Sequence, residues 1–156
     1  MVKLTAAATT SIPRIIIFAL TLVYGFAGLF ARDPWKNEDA IGFGGMWTLQ
    51  HGKALDWIVP HLAGRDVSLG SPFPYWLGAT LMDLFGPLIG TANAARLYAA
   101  VCFFASALAI WYATYLLGRR QEVQPMVLAV GGQPGRKNYG MTLADGALLI
   151  FLACVG

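Results

Sequence analysis

"LYAAVCFFASALAIWYATYLLG", residues 97–118, runs for 22 positions without a charged side chain and is bounded by Arg96 on one side and Arg119–Arg120 on the other. A helix needs about 20 consecutive apolar residues to cross a hydrocarbon core roughly 30 Å thick. Tyr98, Trp111, Tyr112 and Tyr115 lie mostly toward the ends of the run, where amphipathic rings favour the membrane interface. The composition agrees: 57% of the residues are hydrophobic and 12% are charged, whereas soluble domains carry about a quarter charged residues. This stretch therefore predicts an all-α integral membrane fold.

Two further apolar runs extend that reading. Residues 15–31, "IIIFALTLVYGFAGLFA", carry no charge, near the lower limit of a spanning length. Arg14 and Arg32 flank them and can snorkel outward, so the expected span covers about 13–31. The run is long and aromatic for a signal peptide, and Leu29 before Ala31 makes a poor cleavage site. Near the other end, "GALLIFLACVG" begins at Gly146 and ends with the chain. It is too short to cross a bilayer even with Leu143 and Ala144 added. The expectation is two full spans plus a truncated third over 143–156, in a chain that forms the N-terminal part of a polytopic domain.

Basic residues set the orientation. The N-terminal tail holds Lys3 and Arg14 and no acid, and residues 119–145 hold four basic residues against Glu122 and Asp145. The segment 32–96 holds five basic and six acidic residues. Positive-inside logic puts the N-terminus and the loop 119–142 in the cytoplasm and 32–96 outside, which implies a multi-pass membrane protein. No basic block interleaved with aromatics occurs, so no nucleic-acid partner is expected. Cys102 and Cys154 lie in apolar runs and read as inert. His51 and His61 lack ligand-like spacing, so no metal-binding residue is predicted. The glycine-rich "GGQPGRKNYG", residues 131–140, follows no strand and reads as a loop.

The outer segment is organised. It opens with five charged residues in eight positions, 32–39, and includes the adjacent carboxylates Glu38 and Asp39. Asn37 can cap a helix whose first turn holds both acids, which the positive end of the helix dipole favours. Asp33 followed by Pro34 is an equally legal start. Ile41, Gly45 and Leu49 would share one face, widened by Phe43, Met46 and Trp47, with Gly52 as the stop. A second short helix is predicted near 74–86, ended by Gly86–Pro87. Both suit a membrane surface, or packing on each other.

In order, "PWKNEDAIGFGGMWTLQHG", "DWIVPHLAG", "PFPYWLGATLMDLFG" and "TANAARLYAA" follow the first span. This succession resembles the polytopic GT-C glycosyltransferases, in particular bacterial relatives of protein O-mannosyltransferase and of the lipid A aminoarabinose transferase. The resemblance covers roughly residues 12–118. It implies transfer of a sugar from a polyprenyl-phosphate donor to a lipid, glycan or protein acceptor at the outer face of the inner membrane. It further implies that an acid of the first outer loop serves near the acceptor nucleophile. The family's Asp-Glu pair is inverted here, and by register from Trp35, Glu38 takes the catalytic position with Asp39 beside it. A carboxylate at a helix N-terminus stays ionised, fit to accept a proton or bind a cation. A divalent cation is thus a candidate cofactor.

The second motif departs from the family. Relatives often show "EKPPLYYW", whereas "LGSPFPYW" puts Gly70 at the position of the lysine that faces the carrier phosphate. Arg65 is the candidate substrate-binding replacement. Acids also occur in first turns for capping alone. The alternative is therefore a small non-enzymatic membrane protein packing against a larger partner. In either case the partners are membrane lipid and either the remaining helices of a longer protein or a partner membrane protein.

Overall fold

The computed structural model describes residues 13–27, 29, 37–58, 61–62, 65–66, 71–120 and 139–155. Over these the chain forms α1 (Arg14–Phe26), α2 (Asn37–His51), α3 (Phe73–Ile89), α4 (Thr91–Gly118) and α5 (Tyr139–Val155). The only strand pairing among the described residues joins β1 (His61–Leu62) to β2 (Arg65–Asp66). The pairing is antiparallel, with His61 opposite Asp66 and Leu62 opposite Arg65. The fold is otherwise all-helical.

Helix α4 is long and apolar enough to cross a membrane, with 28 residues and a mean hydropathy of 1.8 over its most apolar window. At about 1.5 Å per residue it reaches roughly 42 Å. Only 11% of that window is buried among the described residues. Helix α4 is the only helix among the described residues that passes this test. Of the two full spans expected from the sequence, one is shown among the described residues. Helix α1 covers 13 residues, about 20 Å, and a turn at Leu29, whose N–H donates to the Phe26 carbonyl, follows it. The apolar run up to Ala31 is therefore not helical throughout.

Several boundaries differ from expectation for local reasons. Helix α4 starts at Thr91, so Arg96 sits inside the helix instead of before it. Helix α5 starts at Tyr139 and takes in residues that the sequence assigns to the cytoplasmic loop. Helix α3 does not stop at Gly86–Pro87; it runs to Ile89 with Pro87 inside its last turn. Proline this close to a C-terminus removes only one internal hydrogen bond. The stop is Gly90, whose φ of 85° is a left-handed conformation that a side chain would oppose. The joint is well satisfied. Gly90 N–H donates to the Gly86 carbonyl, Ala94 N–H to the Gly90 carbonyl, and the Asn93 side-chain amide to the Ile89 carbonyl. One residue thus turns α3 into α4.

The chain divides into two compact units, Met1–Gly25 with Phe103–Gly156, and Phe26–Cys102. In the first, α1 and α5 each run antiparallel to the Phe103–Gly118 part of α4. This follows from Arg14 and Trp111 meeting at Asp145, from Gly25 facing the Phe104 ring, and from Gly118 facing Gly140. Its core joins Ile17, Ala107 and Leu148. On α5, Gly140, Ala144, Leu148 and Leu152 recur every four residues and are all buried. A Cβ on Gly118 would come within 2.8 Å of the Gly140 Cα, so the two backbones nearly touch. Small residues at a crossing allow this approach.

In the second unit α2 packs on α3 around Met46, Met82, Ala94 and Ala95. Gly45, Met46 and Leu49 of α2 are buried and Phe43 packs against the same core, as expected, whereas Ile41 and Trp47 are exposed, so the buried face is narrower than the sequence suggests. A Cβ at Gly78 would fall onto the Met46 thioether, so α3 is notched to receive Met46. Gln50 Nε2 donates to Asp83 Oδ1 at 2.6 Å and ties the same two helices together.

Candidate functional site

The predicted acids open α2. Asn37, Glu38 and Asp39 are its first three residues, so the carboxylates lie where the unpaired N–H groups of a first turn concentrate positive potential. Asp39 is exposed. The Asn37 cap and the Glu38 side chain lie outside the described residues, as does the alternative start at Asp33–Pro34. Arg65 belongs to β2 and pairs with Leu62 through the backbone; its side chain lies outside the description. Helix α2 packs against β1, so the acid-bearing helix and the hairpin carrying Arg65 belong to one unit.

Around this helix the polar groups are locally engaged. Trp47 and His51 stack with ring centroids 4.1 Å apart, and His51 Nδ1 donates to the Trp47 carbonyl at 3.1 Å, which sets its tautomer. After the helix, Asp56 Oδ2 accepts from Lys53 N–H at 2.6 Å and closes the one-turn 3₁₀ helix Ala54–Trp57. The Trp76 indole N–H then donates to the Trp57 carbonyl at 2.6 Å, which fixes that turn to the start of α3. Burial and the neighbouring Tyr98 push the Tyr75 phenol above its ordinary value. Among the described residues no group of three or more His, Cys, Asp and Glu side chains converges on a metal position.

A second polar cluster, in the other unit, was not singled out from the sequence. Arg14 Nε donates to Asp145 Oδ2 at 3.3 Å, and the Trp111 indole N–H donates to Asp145 Oδ1 at 2.9 Å. A third donor, Arg14 Nη2, rests on the Met141 sulfur at 3.0 Å. The Asp145 side chain is only 18% exposed and that of Arg14 57%. The carboxylate thus uses both oxygens inward while the guanidinium keeps an outer edge. An open groove of about 320 Å³ starts at this cluster, lined by Ile17, Phe18, Thr21, Phe104, Ala107 and Leu108 among others. Thr21 donates its hydroxyl to the Ile17 carbonyl at 2.8 Å, so the groove beyond the cluster is apolar in effect. The one available signal was the presence of single charged residues, Arg14 and Asp145, at the margins of apolar runs.

Comparison with known proteins finds no family model, no curated protein and no solved structure that matches this chain.

Proposed function

We propose that the chain is part of a polytopic membrane glycosyltransferase of the GT-C type. It uses a polyprenyl-phosphate sugar at the outer face of the bacterial inner membrane, with Glu38 as the base and Asp39 beside it. The observation that carries this reading is the acid pair in the first turn of α2, with Asp39 open to solvent. A carboxylate there is held ionised by the helix end, and so acts as a base or cation ligand and not as a general acid. In this reading α4 crosses the membrane and α1 and α5 enter it as further spans. The notched α2–α3 pair holds the acids at the outer surface, and Arg65 takes the place of the family's lysine at the carrier phosphate.

The experiment is transfer of radiolabelled sugar from a polyprenyl-phosphate donor in membranes of the source cells, with Glu38→Gln and Asp39→Asn placed in the gene at its own locus. Loss of a general base lowers the rate about 10²- to 10⁴-fold, so one of the two substitutions is expected to do so with protein levels unchanged. Undiminished transfer in both, and in the double substitution, would leave the acids as helix caps.

A second reading, a non-enzymatic membrane protein that packs against a larger partner, is favoured by the large apolar side chains that α1 and α5 expose, such as Ile15, Phe18 and Ile150. Unchanged activity in the experiment above, together with co-purification of a membrane protein of fixed stoichiometry, would favour it.

A further inference from the structure

We propose that the groove among α1, α4 and α5 is a binding site for an anionic glycerophospholipid, with one acyl chain lying in the groove and the lipid phosphate on Arg14. The proposal rests on the chain being a membrane protein and is independent of sugar transfer.

The shape comes first. The groove is open along its length and about 320 Å³ in volume, at the small end of ligand sites, which run roughly 300–1,000 Å³. That suits a length of chain and not a whole lipid. From Arg14 to Thr21 it follows seven residues of α1, about 10 Å. Phe18 and Leu108 flank it and are both well exposed, at 65% and 66%. A groove walled by such residues is wetted by hydrocarbon and not by a polar solute.

Chemistry is confined to one end. Asp145 engages the Nε edge of Arg14, and Met141 sulfur, a weak acceptor, meets Nη2. The carboxylate therefore orients the guanidinium without enclosing it. An oriented planar fork matches phosphate oxygens better than an ammonium would. The Trp111 indole, held by the same carboxylate, is the side chain expected at headgroup level. Charge at this end also suits an anion. Arg119 and Arg120 follow α4, and the Gly118–Gly140 contact brings the end of that helix against the start of α5, next to Met141. Among the described residues of this end the Arg14, Arg119 and Arg120 guanidinium groups outnumber the Asp145 carboxylate, with Arg119 resting on the Tyr115 ring. By the positive-inside reading this is the cytoplasmic end, where anionic lipids attract basic residues.

The test titrates the purified full chain in detergent with phosphatidylglycerol or with phosphatidylcholine of the same acyl chains and counts bound lipid by native mass spectrometry. Phosphatidylglycerol is expected to bind about fivefold more tightly, the contribution of one basic residue beside an anionic headgroup. Arg14→Gln should abolish that preference. Leu108→Trp fills the groove from an exposed position without touching the ion pair, and should weaken both lipids. Equal binding of the two lipids by the unsubstituted protein would overturn the proposal. So would binding indifferent to both substitutions, which would leave the groove to a protein segment. Failure of the underlying membrane reading shows separately, as release of the chain from membranes by alkaline carbonate.

Discussion

The two units solve one packing problem with different partners. In the unit of α2 and α3, Gly78 makes room for a side chain, the Met46 thioether. In the unit of α1, α4 and α5, Gly118 makes room for another backbone, at Gly140. Methionine is flexible and can move aside, whereas a helix backbone cannot do so without separating the two helices. The acids differ in the same sense. Asp39 and Asp83 are exposed, while Asp145 turns both oxygens toward its own unit. One unit leaves Asp39 at the solvent surface and uses Asp83 to hold Gln50; the other uses its carboxylate to position a cation.

The largest effect should come from Gly118→Ala. Its Cβ would sit 2.8 Å from the Gly140 Cα, and overpacking of this kind costs about 1–3 kcal/mol. Gly78→Ala meets the Met46 side chain first, and the gain of about 0.5–1 kcal/mol from replacing a helical glycine offsets part of the strain. Hydrogen exchange of the two units should therefore show faster opening of α5 in the first variant and little change of α3 in the second. The reverse order would break the comparison.

Next in size is the contrast between two carboxylates. Asp145→Asn removes the ion pair with Arg14 but can keep the indole bond. Because Arg14 is more than half exposed, the expected cost is about 1 kcal/mol or less. Asp83→Asn keeps an acceptor for Gln50 and should change thermal stability by roughly half as much or less. Equal losses would mean that the Arg14–Asp145 pair adds nothing beyond a surface hydrogen bond.

The smallest effect concerns pH. The Tyr75 phenol is raised above 10.0 by burial and by Tyr98. The folded state therefore holds its proton where the unfolded chain has lost it. The resulting contribution is fully present below pH 10 and is lost as pH rises through the folded value. Tyr75→Phe should remove this alkaline component of unfolding, read from the phenolate absorbance band, and leave the neutral-pH stability of the other unit unchanged.

What could be read from the sequence follows from which signals are local. The start of α2 near Asn37 and the span within α4 were legible because residue types that favour helix starts and an uncharged run are local signals, which a single sequence carries openly. The stop of α3 was misplaced because Gly86–Pro87 is a strong local signal, while the real stop at Gly90 depends on Asn93 and Ala94 satisfying carbonyls across the joint. The face of α2 was legible at Gly45, Met46 and Leu49, but apolar periodicity does not reveal that Ile41 and Trp47 stay exposed or that Gly78 receives Met46. The Arg14–Asp145 pair was hidden for a plainer reason. Its members are 131 positions apart, and nothing local distinguishes a charge that snorkels from one that meets a partner.

The central claim, a membrane chain with the α2 acids outside and the Arg14 end inside, is tested most directly by cysteine accessibility. Cys102 and Cys154 are replaced by Ser, and single cysteines are placed at Ala54, in the exposed 3₁₀ turn, and at Gln133, both uncharged positions, so that the basic-residue asymmetry is untouched. An impermeant maleimide should label Ala54→Cys in intact cells and Gln133→Cys only after the membrane is opened. Labelling of Gln133→Cys in intact cells, with Ala54→Cys protected, would contradict the account.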